Sequence, residues 1–229
     1  MIVALHGAVG SAKDWNHLSF PHHFLKAINL WRLLECCPKS LEEAGSAVNG
    51  EATDTSNILI GYSMGGRIAL HALVSDPSKW EKAIIISAHT GLTNEVSKSE
   101  RRISDAEWAT RALQMHWDSF MKLWNDQSIL PNCTVPNRQI LKPWRKQIAR
   151  SFIDWSTGSQ KNLLPMLEQV NTPILWLTGE QDAKFSQIAK TACEILPNAR
   201  HQAIKHCGHR APWEQPEQCQ ALISQFLME

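Results

Sequence analysis

The stretch Asn57-Ile58-Leu59-Ile60-Gly61-Tyr62-Ser63-Met64-Gly65-Gly66-Arg67-Ile68-Ala69-Leu70 decides how this chain folds. Residues 58–60 are a short apolar run of the kind that forms a buried strand. Residues 64–75 then read as a helix, stopped by Asp76-Pro77. Between them the pattern Gly-x-Ser-x-Gly leaves about two residues in which the backbone must pass from strand to helix. So sharp a turn strains the chain at Ser63 and leaves no room for side chains at 61 and 65, where glycine stands. The outcome is a hydroxyl held free at the carboxyl edge of a sheet, above helix N–H groups that can hold developing negative charge.

Working outward, similar runs at 2–5, 27–30, 83–86, 174–177 and, more weakly, 200–204 read as further strands. Helix-length segments at 184–196 and 216–228 lie between or after them. Strand alternating with helix predicts an α/β fold with a mostly parallel sheet of about six strands, covered on both faces. The rhythm breaks from about residue 91 to 167, where helix formers and charges accompany Trp108, Trp117, Trp124, Trp144 and Trp155. This segment is expected to be a helical lid inserted into a single domain spanning 1–229. Pro131-Asn132 and Val135-Pro136-Asn137 mark a turn inside it. Its tryptophans read first as packing residues, because indole is mostly surface to be buried.

Composition narrows the function. Among 229 residues, 23 Lys or Arg oppose 22 Asp or Glu for a net charge of +1. That balance supplies no global positive field for nucleic acid or an anionic membrane, and neither is expected as a partner. No apolar run approaches the roughly 18–20 residues that span a bilayer. The start, Met1-Ile2-Val3-Ala4-Leu5-His6-Gly7, carries no secretory signature, so a cytoplasmic protein is the expectation. Of six cysteines, Cys36 and Cys37 are adjacent and none forms a Cys-x-x-Cys pair, so free thiols and no metal site are expected. No cofactor is expected either.

A serine of this kind is inert until a histidine takes its proton, and that histidine needs an acid to fix its tautomer. His209, in Cys207-Gly208-His209, follows the last strand; Asp182, in Gly179-Glu180-Gln181-Asp182, follows the strand at 174–177. Both fall at strand ends on the catalytic edge, in the chain order serine, acid, histidine. Glu180 is the near competitor to Asp182. Among the other histidines, His206 lies too close to the strand, His6 sits in an early loop, and His22, His23 and His201 read as surface. The oxyanion hole is expected from the backbone N–H groups of Ala8, in the loop His6-Gly7-Ala8-Val9-Gly10-Ser11, and of Met64.

At this point the chain resembles the α/β-hydrolase family, through His6-Gly7, the serine turn, Gly179-Glu180-Gln181-Asp182 and Gly208-His209 in order. Gly61 to Arg67, His89-Thr90-Gly91-Leu92, Glu100-Arg101 with Ser104-Asp105 and Trp108-Ala109, and Asp182-Ala183-Lys184-Phe185 are similar to the 2-succinyl-6-hydroxy-2,4-cyclohexadiene-1-carboxylate synthases of menaquinone and phylloquinone biosynthesis. The resemblance implies a cyclohexene substrate with several carboxylates, and proton abstraction followed by loss of pyruvate. It also implies that Arg67, Arg101 and Arg150 bind carboxylates, that Trp124 walls the pocket, and that Tyr62 flanks the serine. Arg67 fits independently: four residues after Ser63, it returns to the same helix face one turn along. Residues 94–155 hold ten Lys or Arg against seven Asp or Glu, which suits an anionic ligand.

The chain also departs from that family. It begins at what is usually the third strand, so the family's first hairpin is expected to be missing; Asn29-Leu30-Trp31-Arg32 replaces a usual Asp-x-Pro-Gly-His-Gly. Ala8 stands where an aromatic is common, and Asn125 where tyrosine is expected. Two other readings stay open: a serine hydrolase of small esters, thioesters or a carbon–carbon bond through an acyl-enzyme, and a non-catalytic binding protein. Either a monomer or a small homo-oligomer is compatible with the sequence.

Overall fold

Successive residues of a strand point to opposite faces of its sheet, so a strand covered on both sides reads as an unbroken apolar run. The computed structural model, which describes residues 1–54, 56–130 and 137–229, has six strands, the inner four buried and the two edge strands half-buried: β1 (Ile2–Leu5), β2 (Leu25–Ile28), β3 (Ile58–Tyr62), β4 (Lys82–Ile86), β5 (Ile174–Gly179) and β6 (Ala199–Ile204). They lie in the order β2-β1-β3-β4-β5-β6. Every pairing is parallel, so the sheet is wholly rather than mostly parallel. The helices are α1 (Leu41–Asn49), α2 (Met64–Ser75), α3 (Glu95–Gln114), α4 (Trp117–Asn125), α5 (Arg145–Asp154), α6 (Leu164–Leu167), α7 (Ala183–Ile195), α8 (Ala211–Glu214) and α9 (Pro216–Met228).

Val3, Leu5, Leu59, Ile85 and Trp176 pack on one face with α1, α2 and α7. Ile2, Ala4, Ile60, Ile84 and Leu177 pack on the other with Ile223 and Phe226 of α9. From β1 the chain moves outward to β2, then returns to β3 on the opposite side of β1. That reversal opens a crevice at the carboxyl ends of β1 and β3, where the serine turn lies.

One strand ends earlier than the apolar run at 27–30 suggests. β2 stops at Ile28 because the Asn29 side-chain oxygen accepts the N–H of Trp31 and caps a 3₁₀ turn, Leu30–Leu34. Leu30, Trp31 and Leu34 thereby enter the core instead of extending the sheet. The connection from β4 to β5 carries α3, α4, α5 and α6. Trp117 and Trp155 are fully buried, while Trp124 meets Trp108 at 5.1 Å and Phe152 at 5.5 Å between ring centres. Packing therefore accounts for most of these indoles. Of the expected turn in this segment, residues 131–136 lie outside the described residues, as does Cys133. The other five cysteines are free thiols. Among the described residues no helix is long and apolar enough to cross a membrane.

The serine turn is locked against the end of β1. A Cβ on Gly65 would overlap the carbonyl oxygens of Leu5 and His6, which are backbone atoms with nowhere to move. Gly65→Ala is expected to cost about 1–3 kcal/mol of stability, read as a lower urea midpoint. A midpoint equal to that of the unsubstituted protein would contradict this packing.

Candidate active site

Ser63 sits at φ 52° and ψ −110°, in the left-handed half of backbone space that a serine rarely enters. Neighbouring structure holds it there. Its N–H donates to the Ile86 carbonyl of β4 at 2.8 Å, and its carbonyl accepts from Arg67 N at 3.0 Å, closing the first turn of α2. A Cβ on Gly61 would stand 2.6 Å from the Gly65 oxygen, which is why position 61 is glycine, as the Leu5 and His6 carbonyls require at position 65. The strain is thus over-determined by the sheet and helix on either side.

Ser63 Oγ lies 3.1 Å from His209 Nε2. His209 Nδ1 lies 2.7 Å from Asp182 Oδ2, and both partners are buried. A carboxylate can only accept, so Nδ1 carries the proton and Nε2 is left to accept from the serine hydroxyl. The imidazole is braced on all sides. Phe185 and Tyr62 pack tilted rings against it, with centres at 4.5 and 5.7 Å. Glu214 accepts from Gly208 N and Arg210 N, both at 2.9 Å, clamping the backbone before and after His209. Sequence reading missed Glu214, although a carboxylate five residues beyond the histidine is a local signal. Glu180 is occupied elsewhere, accepting from the exposed His206 N–H at 3.1 Å. His201, expected at the surface, is half-buried on β6, with its Nε2 2.8 Å from the Thr178 hydroxyl.

Ala8 and Met64 both line the cavity that Ser63 also lines, and their N–H groups are the expected oxyanion donors. Neither donates to a protein acceptor among the described residues. The loop bearing Ala8 closes with Gly10 N donating to Gly7 O at 3.1 Å. Its positive φ, 51°, falls on Val9 rather than on either glycine. Three buried contacts hold this unfavourable turn. Leu30 N donates to His6 Nε2 at 3.1 Å, His6 Nδ1 lies 2.9 Å from Gly7 O, and Trp31 Nε1 donates to Gly10 O at 2.9 Å. The segment that replaces the family's usual residues after β2 therefore supports the loop that bears Ala8.

The cavity measures about 530 Å³ and is lined by Ser63, His209, Tyr62, Met64 and Trp124 together with Arg67, Arg101, Arg138, Lys184 and Arg210. Asp14 and Glu100 are its acids. Arg101 pairs with Asp105 at 2.8 Å, and Arg138 with the buried Asp14. Arg67, Lys184 and Arg210 have no carboxylate within ion-pair distance among the described residues. Arg67 is 8% exposed and donates from Nη1 to Gln160 Oε1 at 3.2 Å. Burial, then repulsion from Arg101, pushes its pKa down to about 9, still high enough to keep the charge at neutral pH. Burial likewise lowers that of Lys184, with Arg101 adding to it.

Arg150 does not belong to this set. On α5 its Nε reaches back to Asp154 at 3.1 Å, and its Nη1 donates to the Leu34 carbonyl at 3.2 Å, so it ties α5 to the 3₁₀ turn and is not among the residues lining the cavity. In its place stand Arg210, Lys184 and Arg138, which sequence reading passed over. The first two had a signal, being one and two residues from His209 and Asp182; Arg138 had none, because its position depends on the path of the chain between β4 and β5.

A model of the alpha/beta hydrolase family matches residues 2–222. The chain belongs to the alpha/beta hydrolase family. Within it, the chain is 30% identical over 223 residues to the 2-succinyl-6-hydroxy-2,4-cyclohexadiene-1-carboxylate synthase of Salmonella arizonae, covering 88% of this chain and 86% of the relative. It is 26% identical to a Bacillus subtilis protein described as a putative enzyme of the same name, over 99% of this chain and 89% of that one. Among solved structures, MenH from S. aureus superposes with a TM-score of 0.82 at 24% identity, covering 99% of this chain and 92% of that one. The carboxylesterase CesB from Bacillus subtilis gives 0.62 at 18% identity, with coverages of 99% and 82%.

Burial pushes His6, His71 and His89 each down to about 4. The unfolded chain titrates near 6.5. Below that pH it binds protons that the folded protein refuses, so stability present above pH 6.5 is lost as pH falls toward 4. For the fully buried His6 alone the loss is about 1.4 kcal/mol per pH unit across this window. Urea unfolding is therefore expected to show stability lower by about 2 kcal/mol or more at pH 5 than at pH 7, and equal stabilities would contradict three neutral buried imidazoles.

Proposed function

We propose that this protein eliminates pyruvate from 2-succinyl-5-enolpyruvyl-6-hydroxy-3-cyclohexene-1-carboxylate to give 2-succinyl-6-hydroxy-2,4-cyclohexadiene-1-carboxylate, with Ser63, His209 and Asp182 as its catalytic triad. The observation that carries this reading is the set of three cations, Arg67, Lys184 and Arg210, that line the cavity without a carboxylate partner among the described residues. Lys184 is exposed, but Arg67 and Arg210 are buried, and removing such charges from water is costly unless an anion compensates them. A neutral ester offers none, whereas this substrate carries a carboxylate on its ring, on its succinyl arm and on its enolpyruvyl group. The relatives named for the same product support the assignment.

The proton to be removed lies on ring carbon 2, next to the succinyl ketone. His209 Nε2 takes the Ser63 hydroxyl proton, and the serine oxygen takes the proton from carbon 2. Charge moves onto the ketone oxygen, where the N–H groups of Ala8 and Met64 and the amino end of α2 hold it. On its return, a double bond forms between carbons 2 and 3, the ring double bond shifts to carbons 4 and 5, and the bond from carbon 5 to the enolpyruvyl oxygen breaks. The departing enolate takes up the proton held on His209 and becomes pyruvate. Asp182 keeps the imidazole oriented and stabilises its cationic form. Tyr62 and Trp124 offer apolar wall to the ring, while Arg67 engages a carboxylate; Arg101, on the same cavity, is already paired with Asp105. No acyl-enzyme forms, which separates this route from that of a serine esterase.

Pyruvate release, followed by coupling to a lactate dehydrogenase, tests the proposal. Ser63→Ala is expected to lower turnover by about a thousandfold or more. Arg67→Ala should lower kcat/KM by about 1.5–3 kcal/mol of charge-assisted bonding while sparing any cleavage of neutral aryl esters. Folded protein that releases no pyruvate, or a burst of acyl-enzyme on small esters with no elimination, would overturn the lyase reading.

A further inference from the structure

Arg67 and Arg210 are held in the same way. Each is buried on the cavity wall, at 8% and 7% exposure. Each donates to a neutral side-chain amide from the segment between β4 and β5: Arg67 to Gln160 Oε1 at 3.2 Å, and Arg210 from Nη2 to Asn125 Oδ1 at 2.6 Å. The two amides lie on different parts of that segment, Asn125 closing α4 and Gln160 following α5. The contrast is with Arg101 and Arg138, whose partners Asp105 and Asp14 are acids. A carboxylate partner aims a guanidinium and neutralises it, whereas an amide oxygen aims it and leaves the charge in place. Glu214 does not quench Arg210 either, since it bonds the backbone N–H of residues 208 and 210.

From this arrangement we infer that Arg210, aimed by Asn125, is a second carboxylate-binding residue, so that two separate walls of the cavity select a dicarboxylate, Arg67 taking one group and Arg210 the other. The inference rests on the reading of the substrate as a polyanion, and not on the elimination chemistry. Arg210 is adjacent to His209 in the chain, so the carboxylate it holds lies beside the reacting centre. Asn125, where the resemblance led to an expectation of tyrosine, is the positioning residue. Sequence alone gave no reason to join two residues 85 positions apart.

Binding calorimetry with stable aromatic stand-ins tests this. The dicarboxylate 2-succinylbenzoate is compared with 2-butanoylbenzoate, which lacks the side-chain carboxylate, and with 4-oxo-4-phenylbutanoate, which lacks the ring carboxylate. The unsubstituted protein is expected to bind the dicarboxylate about tenfold or more tightly than either. Arg210→Gln should abolish that preference against one monocarboxylate and keep it against the other. Arg67→Gln should do the converse. Asn125→Asp, which neutralises Arg210 without removing it, should reproduce the Arg210→Gln pattern, and thermal melting confirms that each variant is folded. Equal weakening of all three ligands by Arg210→Gln, no weakening, or an unsubstituted protein that binds none of them would overturn the inference. Pyruvate release by the unsubstituted protein is scored separately. Selective binding without pyruvate removes the lyase reading and keeps this one; pyruvate with a flat binding pattern does the reverse.

Discussion

Every part of the site depends on the close approach of two backbones, the Gly65 turn of α2 against the carbonyl ends of β1. Because Gly65 has no side chain, the start of α2 lies directly on Leu5 and His6. That contact places the Met64 N–H next to the Ala8 loop, which leaves β1 at the same point. It also fixes Ser63 in a conformation the residue would not choose, with its hydroxyl 3.1 Å from His209. A serine left in a relaxed turn would lose that contact. The strain costs stability locally and is compensated by the pairing of β3 with β1 and β4.

A second constraint is electrostatic. Arg67 is surrounded by protein, and burial acts against its charge. The fold accepts this cost and aims the guanidinium with Gln160 instead of neutralising it with an acid. A bound carboxylate then gains more than it would in water, because the charge that meets it is already desolvated and oriented. Two of the acids near the cavity are spent on other partners: Asp105 on Arg101 and Ser156, Asp14 on Arg138 and Ser11. Glu100 is the other acid of the lining, and against Arg67, Lys184 and Arg210 it leaves an excess of positive charge in a protein whose net charge is only +1.

The parts legible in the sequence are those encoded by residues close together in the chain. The strand–glycine–serine–glycine–helix pattern announced its own turn, since sterics within about ten residues decide it. Asp182 and His209 could be read because each follows a strand end directly, and strand ends share one edge of a parallel sheet. β2 was misplaced by two residues because Asn29 caps the following turn with its own side chain, a choice that apolar periodicity cannot register. Arg150 was misassigned for a related reason: on a helix, a partner four residues away competes with any distant ligand, and Asp154 occupies that position.

By itself, then, the sequence determined the α/β layering, the strained serine turn and the order in which Asp182 and His209 follow it, all of them consequences of local backbone geometry and strand periodicity. The tertiary structure alone decided which cations are free. Lys184 and Arg210 lie beside residues already singled out, yet their availability depends on what the inserted helices bring over the sheet: Asn125 to Arg210, Gln160 to Arg67, and Arg138 to Asp14. Charge pairing is set by distances of a few ångströms between segments far apart in the chain, and no spacing rule along one segment can specify it.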